Sequence, residues 1–247
     1  MLKLDEKKIR KGKPIGLPYQ GSKKKISKKI VEIIKQNFGT DKPIYDVFGG
    51  GGAITAECIL NGLEVHYNDL DKDITNAFER VISQDREWIK TLIISREEFF
   101  EIKAKENKTT DDFLKLLINS FGNSRNYYMY SEETSDLKYN LAKEIIKSHD
   151  VFSSYKQTKT YNKAVERPER LEQLQQLQQL QQLEQLERLQ QLDKVKATNK
   201  SYHEFSKVSG AILYLDPPYE GTSQDGYTDK KRESLSQKLI KKFVISY

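Results

Sequence analysis

The sequence lacks the features that stabilise secreted, membrane-spanning and metal-binding proteins. Cys58 is its single cysteine, which excludes an internal disulfide framework and a cysteine zinc cluster. No stretch approaches the roughly 18 consecutive apolar residues that cross a bilayer, and no signal peptide is recognisable. His66, His149 and His203 have no ligand spacing to another His or Cys. We therefore expect a cytoplasmic protein without a membrane segment or a metal site.

Charge is distributed unevenly along the 247 residues. The net charge is +6 at pH 7, but residues 1–30 carry +9, residues 229–247 carry +4 and residues 31–228 carry −7. Two basic ends suit a polyanion such as nucleic acid, because lysines beside phosphates release counterions. A solvated lysine-rich surface with a frayed N-terminus is the alternative interpretation.

The order of apolar runs and glycines predicts an α/β fold. Residues 1–18 form a basic arm in which Gly and Pro discourage a helix. A strand, a glycine-rich turn, a helix and a second strand then make a β-α-β unit, which favours a parallel sheet. The predicted elements are helices at 22–37, 53–61 and 74–82, strands at 44–48, 63–67, 211–215 and 243–247, mostly helical structure over 88–154, an irregular basic stretch over 155–170, and a helix at 235–242.

Eight leucines recur at every third position from Leu171 to Leu192, separated by ten Gln, three Glu and one Arg. On an α-helix each leucine steps back by about 60° from the previous one, so the eight would spiral around the helix. This spacing disfavours a coiled coil, which needs about 3.5 residues per repeat. We expect a low-complexity repeat that is tolerated as an exposed helix or loop. Binding of a partner through exposed leucines is the alternative.

The glycine-rich turn is the first motif that carries chemistry. Residues 46–53 read DVFGGGGA between a strand and a helix, where glycines let a ligand approach the backbone. The third glycine of the dinucleotide fingerprint is missing, and so is the Gly-Lys-Ser/Thr of a phosphate-binding loop, so a ligand without a pyrophosphate fits better. Asp69, at the end of the next strand, can hold ribose hydroxyls.

A second motif, Asp216-Pro-Pro-Tyr219, also follows a buried strand and so lies at the same edge of the sheet. The prolines fix the backbone, and the Pro217 carbonyl is an acceptor beside the Asp216 carboxylate. Tyr219 adds an aromatic face. Two acceptors and a stacking surface describe a pocket for a planar ring with an exocyclic amino group. A rigid turn at the end of a strand is the structural alternative.

A third motif, residues 18–23 (PYQGSK), precedes the first helix. In the order PYQGSK, FGGGG, Asn68-Asp69 and DPPY, the sequence resembles the Dam-type DNA adenine N6-methyltransferases, and phage-encoded members most closely. An insertion between the glycine motif and DPPY matches their α arrangement. The resemblance covers most of residues 15–247 except the leucine repeat, and it implies a Rossmann-like methyltransferase sheet with a mostly helical inserted region.

The resemblance also implies roles for individual residues and a methyl donor, S-adenosyl-L-methionine. Tyr19 and Lys23 would contact this cofactor, Phe48, Gly49 and Gly51 would line its methionine end, and Asp69 would bind its ribose. In the catalytic motif, Asp216 would lie where cofactor and target base meet, with Pro217 and Tyr219 beside it. The remaining candidates, implied to contact double-stranded DNA from a hairpin at Phe121–Tyr130, are Asn123, Arg125 and Asn126.

These expectations divide the chain into a basic arm (1–18), a catalytic domain (19–90 and 208–247), a target-recognition insertion (91–170) and the leucine repeat (171–192). Family members continue past the position of Tyr247, so we expect a chain whose C-terminal strands are missing. Two alternatives remain open. One is a methyltransferase that acts on cytosine N4 or RNA, and the other is an inactive remnant that binds DNA or a partner.

Overall fold

The structure is a computed structural model that describes residues 2–19, 22–149, 152–166, 176–192 and 195–217. The chain divides into two compact units, of which the first contains Met1–Ile82 and Leu192–Tyr247 and the second contains Ser83–Gln191. Within the described ranges, no helix is long and apolar enough to cross a membrane.

The first unit is built on a parallel sheet, which confirms the predicted fold class. Its described strands are β1 (Ile44–Asp46), β2 (Val65–Asn68), β3 (Ala197–Thr198) and β4 (Ile212–Tyr214), in the order β3-β2-β1-β4. All three pairings are parallel, so the carboxyl ends of the strands lie at one edge of the sheet. β3 was not predicted, and the predicted strand at 243–247 and helix at 235–242 lie outside the described residues.

The α-helices described in the first unit are α1 (Ser27–Phe38), α2 (Ala53–Leu60) and α3 (Lys72–Ile82). Ser22 caps the single turn before α1 by accepting a hydrogen bond from the Lys24 N–H, and Gly39 ends α1 at φ +86°. Alternate residues of β1 face opposite sides of the sheet, as the pleat requires. The buried clusters on the two sides are Val31, Ile34, Ile44, Ile54, Cys58 and Leu63, and Val47, Phe205 and Leu213.

The basic N-terminal arm is docked on the first unit and is not frayed over residues 2–19. The Arg10 guanidinium forms two hydrogen bonds of 2.7 and 2.8 Å with the carboxylate of Glu57, which is almost fully buried. The Asp5 N–H donates to the Gln36 side chain at 2.7 Å, and Lys28 Nζ donates to the Gly12 carbonyl at 2.7 Å. Part of the arm's positive charge is therefore used to hold it against α1 and α2.

The second unit is helical over the ranges that are described. Thr109 and Asp112 form a capping box before the helix at Thr110–Ile118, which explains why that helix begins there. The helices are α4 (Arg86–Lys90), α5 (Arg96–Ala104), α6 (Thr110–Ile118), α7 (Glu132–His149), α8 (Lys159–Val165) and α9 (Gln178–Leu189). The irregular structure expected over 155–170 is wrong where residues are described, because the Thr158 side chain caps α8 by accepting from the Tyr161 N–H.

The leucine repeat is part of the core of the second unit, so the expectation of an exposed segment is wrong for its described part. Leu180, Leu183, Leu186 and Leu189 of α9 are fully buried. Four leucines at steps of about 60° cover only half of the helix circumference, and α4 and α6 pack against α9. The leucines do spiral around the helix, but α9 is too short for the spiral to bring one of them to the exposed side. Its first residues, 171–175, lie outside the described ranges.

Candidate active site

The glycine turn lies at the carboxyl edge of the sheet and is packed by aromatic rings. A Cβ on Gly49 would lie 2.2 Å from the Tyr67 ring, and a Cβ on Gly52 would lie 2.2 Å from the Phe78 ring. Gly52 also has a left-handed conformation, with φ +72°. The two rings stack with centroids 4.4 Å apart. Glycine is therefore required at both positions by close approach within the protein itself.

The end of β2 holds this turn through a carboxylate. Asp69 Oδ2 accepts a hydrogen bond of 2.9 Å from the Gly50 N–H, and its Oδ1 accepts one of 2.9 Å from the Asp71 N–H. The Tyr67 hydroxyl donates to the Gly50 carbonyl at 2.7 Å. A carboxylate offers about four lone-pair sites, so Asp69 can also accept hydrogen bonds from ligand hydroxyls.

Asp46, which sequence reasoning did not single out, is buried at the end of β1. Its Oδ2 accepts from the Thr55 N–H at 3.1 Å and from the Thr55 hydroxyl at 2.7 Å. It thereby caps α2, whose N-cap residue Gly52 has no side chain to do so. Burial, assisted by the nearby carboxylates of Asp69 and Asp216 and opposed by the Thr55 hydrogen bonds, raises the pKa of Asp46 to about 7. The sequence signal that could have identified Asp46 was its position at the end of a strand, shortly before the glycines.

The chain before the first helix reaches the glycine turn at Leu17 and Tyr19. The Leu17 N–H donates to the Gly51 carbonyl at 2.7 Å. A Cβ on Gly50 would lie 3.3 Å from the Tyr19 ring, and one on Gly51 would lie 3.0 Å from the Tyr19 Cβ. Tyr19 therefore covers the turn. Burial lowers the pKa of the neighbouring Lys24 to about 8, a second titratable group that the sequence did not reveal.

Lys23 and Asp216 form an ion pair that joins two of the predicted motifs. Lys23 Nζ lies 2.7 Å from Asp216 Oδ2, and both side chains are partly buried. Asp216 follows β4, which pairs with β1 in the sheet. The carboxylates of Asp46, Asp69 and Asp216 thus converge on one edge, where Lys23 partly balances their charge. The order of the strands produces this convergence, because β1 lies between β2 and β4.

Two further predicted residues, Phe48 and Pro217, lie at this edge of the sheet. The Phe48 ring stacks on Tyr202 with centroids 6.1 Å apart and packs beside the cluster that contains Val47. Pro217 is partly buried directly after Asp216. Tyr219 lies outside the described residues. In the described ranges, no group of three or more His, Cys, Asp and Glu residues is arranged to hold a metal ion.

The predicted DNA-contacting residues lie in the second unit, on a chain reversal that we call the hairpin (residues 119–130). Asn123 Nδ2 donates to the Leu117 carbonyl at 3.0 Å, and the Arg125 guanidinium carbon lies 4.6 Å from the centre of the Phe113 ring. The Asn126 carbonyl accepts a hydrogen bond of 2.8 Å from Lys103 Nζ. Asn123 therefore helps to hold the turn, and Arg125 stacks on an aromatic ring within the unit.

Two aromatic side chains of the hairpin are exposed beside these groups. Phe121 and Tyr127 are 67% and 70% exposed. Lys103 Nζ lies 5.7 Å from the centre of the Tyr127 ring. Exposed aromatic and cationic groups of this kind can stack on bases and bind phosphates.

Comparison with known proteins gives a match to one family. The model of the D12 class N6 adenine-specific DNA methyltransferases matches residues 19–247, a range that includes the glycine turn, Asp69, DPPY and all but the first residue of PYQGSK. Neither a curated protein nor a solved structure matches the chain.

Proposed function

The chain belongs to the D12 class of N6 adenine-specific DNA methyltransferases, and from this membership we propose that the carboxyl edge of its sheet binds S-adenosylmethionine beside the target adenine. The reaction of the family is the methylation of adenine N6 in DNA. The observation that carries the proposal is the ion pair between Lys23 and Asp216, next to the glycine turn.

The charged groups of this edge suit the proposed cofactor. A zwitterionic amino acid needs partners of both signs, and Lys23 and Asp216 provide them within one ion pair. A ribose needs hydrogen-bond acceptors for its hydroxyls, which Asp69 can supply while it holds the glycine turn. Phe48, Tyr19 and the turn residues Gly49 and Gly51 would complete the cofactor site. When bound, S-adenosylmethionine supplies an electrophilic methyl group on a positively charged sulfur.

Asp216 and Pro217 are the proposed catalytic groups. An adenine inside a duplex is unreachable, so it must be flipped out of the stack. Its amino group carries two hydrogens, and we assign one to the Asp216 carboxylate and the other to the Pro217 carbonyl. Lys23 binds Oδ2 of Asp216. The other oxygen of this carboxylate, Oδ1, can accept the hydrogen bond from the adenine amino group.

These two acceptors favour attack by the amino nitrogen. Hydrogen bonds to both hydrogens draw them toward the protein and turn the nitrogen lone pair toward the methyl donor. Positive charge would develop on the nitrogen as its bond to the methyl carbon forms and the bond from that carbon to sulfur breaks. The Asp216 carboxylate would stabilise this charge and take the proton that the methylated nitrogen loses. Positioning of the two reactants supplies much of the remaining acceleration. Tyr219 would stack on the flipped base.

The hairpin of the second unit is the proposed DNA-contacting element. Arg125 and Asn126 are its candidate contacts to phosphate or base edges, and Asn123 is a third candidate although its amide also holds the turn. A Dam-type, phage-like enzyme that works in the cytoplasm of a bacterial or phage-infected cell, where its double-stranded DNA substrate lies, is the finer form of this proposal.

Calorimetric titration with S-adenosylmethionine tests the cofactor site. Asp69→Asn removes the negative charge but keeps one acceptor for the glycine turn, so we expect about a tenfold or larger loss of affinity. Asp73→Asn, which changes an exposed carboxylate at the start of α3, is the matched control and should leave the affinity unchanged. Equal affinities of wild type and Asp69→Asn, or no binding by wild type, would refute the assignment.

A further inference from the structure

One glutamine of the leucine repeat differs from the others. Among the described glutamines of the repeat, only Gln179 is buried, with no exposed surface. It is the second residue of α9 and precedes the buried leucines of that helix. A buried amide must be hydrogen-bonded to offset the loss of water, so its contacts show what it does.

The Gln179 side chain and backbone reach both ends of the hairpin. Its Nε2 lies 2.6 Å from Asn119 Oδ1, at the start of the hairpin, and 3.1 Å from the Tyr128 hydroxyl, near its end. The same nitrogen lies 3.1 Å from the Ile94 carbonyl. The Gln179 N–H donates to the Tyr130 hydroxyl at 3.3 Å. One residue thus connects α9 to the two sides of the hairpin base.

The hairpin itself has few hydrogen bonds across it. The Phe121 N–H donates to the Tyr127 carbonyl at 2.8 Å, the Met129 N–H donates to the Asn119 carbonyl at 2.9 Å, and Ser120 and Tyr128 form an isolated antiparallel bridge. A two-stranded hairpin is at best marginally stable by itself. Contacts with neighbouring elements therefore orient it, at the tip through Asn123 and Lys103 and at the base through Gln179.

Stability alone does not explain a glutamine at this position. Its Oε1 is buried and has no hydrogen-bond partner among the described residues. Its Nε2 has two hydrogens for three nearby acceptors. An apolar side chain of the same length would avoid the unsatisfied oxygen, so the polar contacts to the hairpin are the feature that distinguishes glutamine here.

We propose that Gln179 is a positioning residue for DNA recognition, which holds the hairpin base so that Arg125 and Asn126 are already oriented when DNA binds. This inference rests on the proposed function, because it takes the hairpin as the DNA-contacting element. It also gives the leucine repeat a role: the leucines anchor α9 in the core, and Gln179 couples α9 to the hairpin.

The test compares Gln179→Met with Gln181→Met. Methionine keeps the length of the side chain and removes its hydrogen bonds, and Gln181 is an exposed glutamine of the same helix. Two quantities are measured for each variant: hydrogen exchange at the Phe121 and Met129 amides, and the Kd for duplex DNA. Tyr128→Phe removes one partner from the hairpin side and carries the same test if Gln179→Met does not fold.

Gln179→Met should speed exchange at both amides and raise the Kd for DNA by about 3- to 10-fold. Affinity for S-adenosylmethionine and kcat at saturating DNA should not change, whereas a purely structural role would lower stability without this selective loss. The losses in Gln179→Met and Tyr128→Phe should add incompletely in the double variant, because the two side chains share a hydrogen bond, although Tyr128→Phe also removes the bond that its hydroxyl donates to the Ile94 carbonyl.

Unchanged exchange and unchanged DNA affinity in Gln179→Met would overturn the proposal, and so would an equal loss in Gln181→Met. Failure of the proposed function is recognised separately, because wild type would then bind no DNA. The exchange rates would still decide whether Gln179 orients the hairpin.

Discussion

The two units place their candidate functional residues by different physical means. In the first unit, charged side chains converge on the end of a parallel sheet, and the turn between them is fixed by aromatic rings that leave room only for glycine. In the second, a hairpin with exposed aromatic tips is held at its base by neutral amides and hydroxyls. Charge placed rigidly suits the stabilisation of a transition state, and a neutral network suits the orientation of the surface that we propose contacts DNA.

The largest effect should come from removing the Asp216 carboxylate from the proposed site in the first unit. Asp216→Ala deletes the acceptor proposed for the adenine amino group, so we expect methyl transfer to fall by roughly 10²- to 10³-fold or more. Single-turnover transfer from labelled S-adenosylmethionine measures this rate. Asp136→Ala removes an exposed carboxylate from α7 of the second unit and should leave the rate unchanged. Full activity in Asp216→Ala would contradict the proposed mechanism.

The next effect concerns the core of the second unit. Leu183 is fully buried in the middle of α9, so Leu183→Ala should lower the free energy of unfolding by about 2–5 kcal/mol. Gln181→Ala changes an exposed residue of the same helix, and its effect should stay within about 0.5 kcal/mol. Urea denaturation measures both values. If Leu183→Ala lowered the free energy of unfolding no more than Gln181→Ala, the leucine repeat would not be part of the core of the second unit. The contrast drawn between the two units would then fail.

A comparably large effect is expected at the glycine turn. In Gly52→Ala the new methyl group would clash with the Phe78 ring in a left-handed conformation, which should cost about 2–4 kcal/mol of stability. Gly62→Ala has a similar φ of +71° but nothing within 4 Å of the new Cβ, so only strain of about 1 kcal/mol remains. Equal losses in the two variants would show that packing against Phe78 does not fix the turn.

The smallest effect is a dependence of stability on pH. The folded pKa of Asp46 is about 7, above the ordinary value of about 3.9 in the unfolded chain. Between these values the folded state binds more protons, so this group makes the free energy of unfolding fall as pH rises from about 4 to about 7. Asn cannot titrate. Between pH 5 and pH 8 the free energy of unfolding of Asp46→Asn should therefore fall by about 2 kcal/mol less than that of wild type. Parallel pH profiles of wild type and Asp46→Asn would contradict this assignment.

The sequence predicted the edge of the sheet better than the contacts made there. Strand, glycines and helix follow one another locally, so the positions of Asp69 and Asp216 at one edge could be foreseen. The ion pair between Lys23 and Asp216 joins residues far apart in the chain, and no periodic pattern reports such a contact. The two-residue strand β3 is too short to show alternation.

The leucine repeat was misinterpreted because periodicity was judged over its whole length. A spiral of eight leucines has no common face, but α9 contains only four of them, and helices pack around that half of its surface. Burial of Gln179 could not be foreseen either, since nine other glutamines lie between the leucines of the repeat. Tertiary surroundings, and not local pattern, distinguish this glutamine from the rest.

One measurement tests the central claim most directly. The protein is incubated with duplex DNA and S-adenosylmethionine labelled in its methyl group, and the DNA is then digested to nucleosides and analysed by mass spectrometry. Our account predicts label in N6-methyladenine for wild type and its loss in Asp216→Ala. Label in N4-methylcytosine, or no label from wild type that binds both DNA and S-adenosylmethionine, would contradict it.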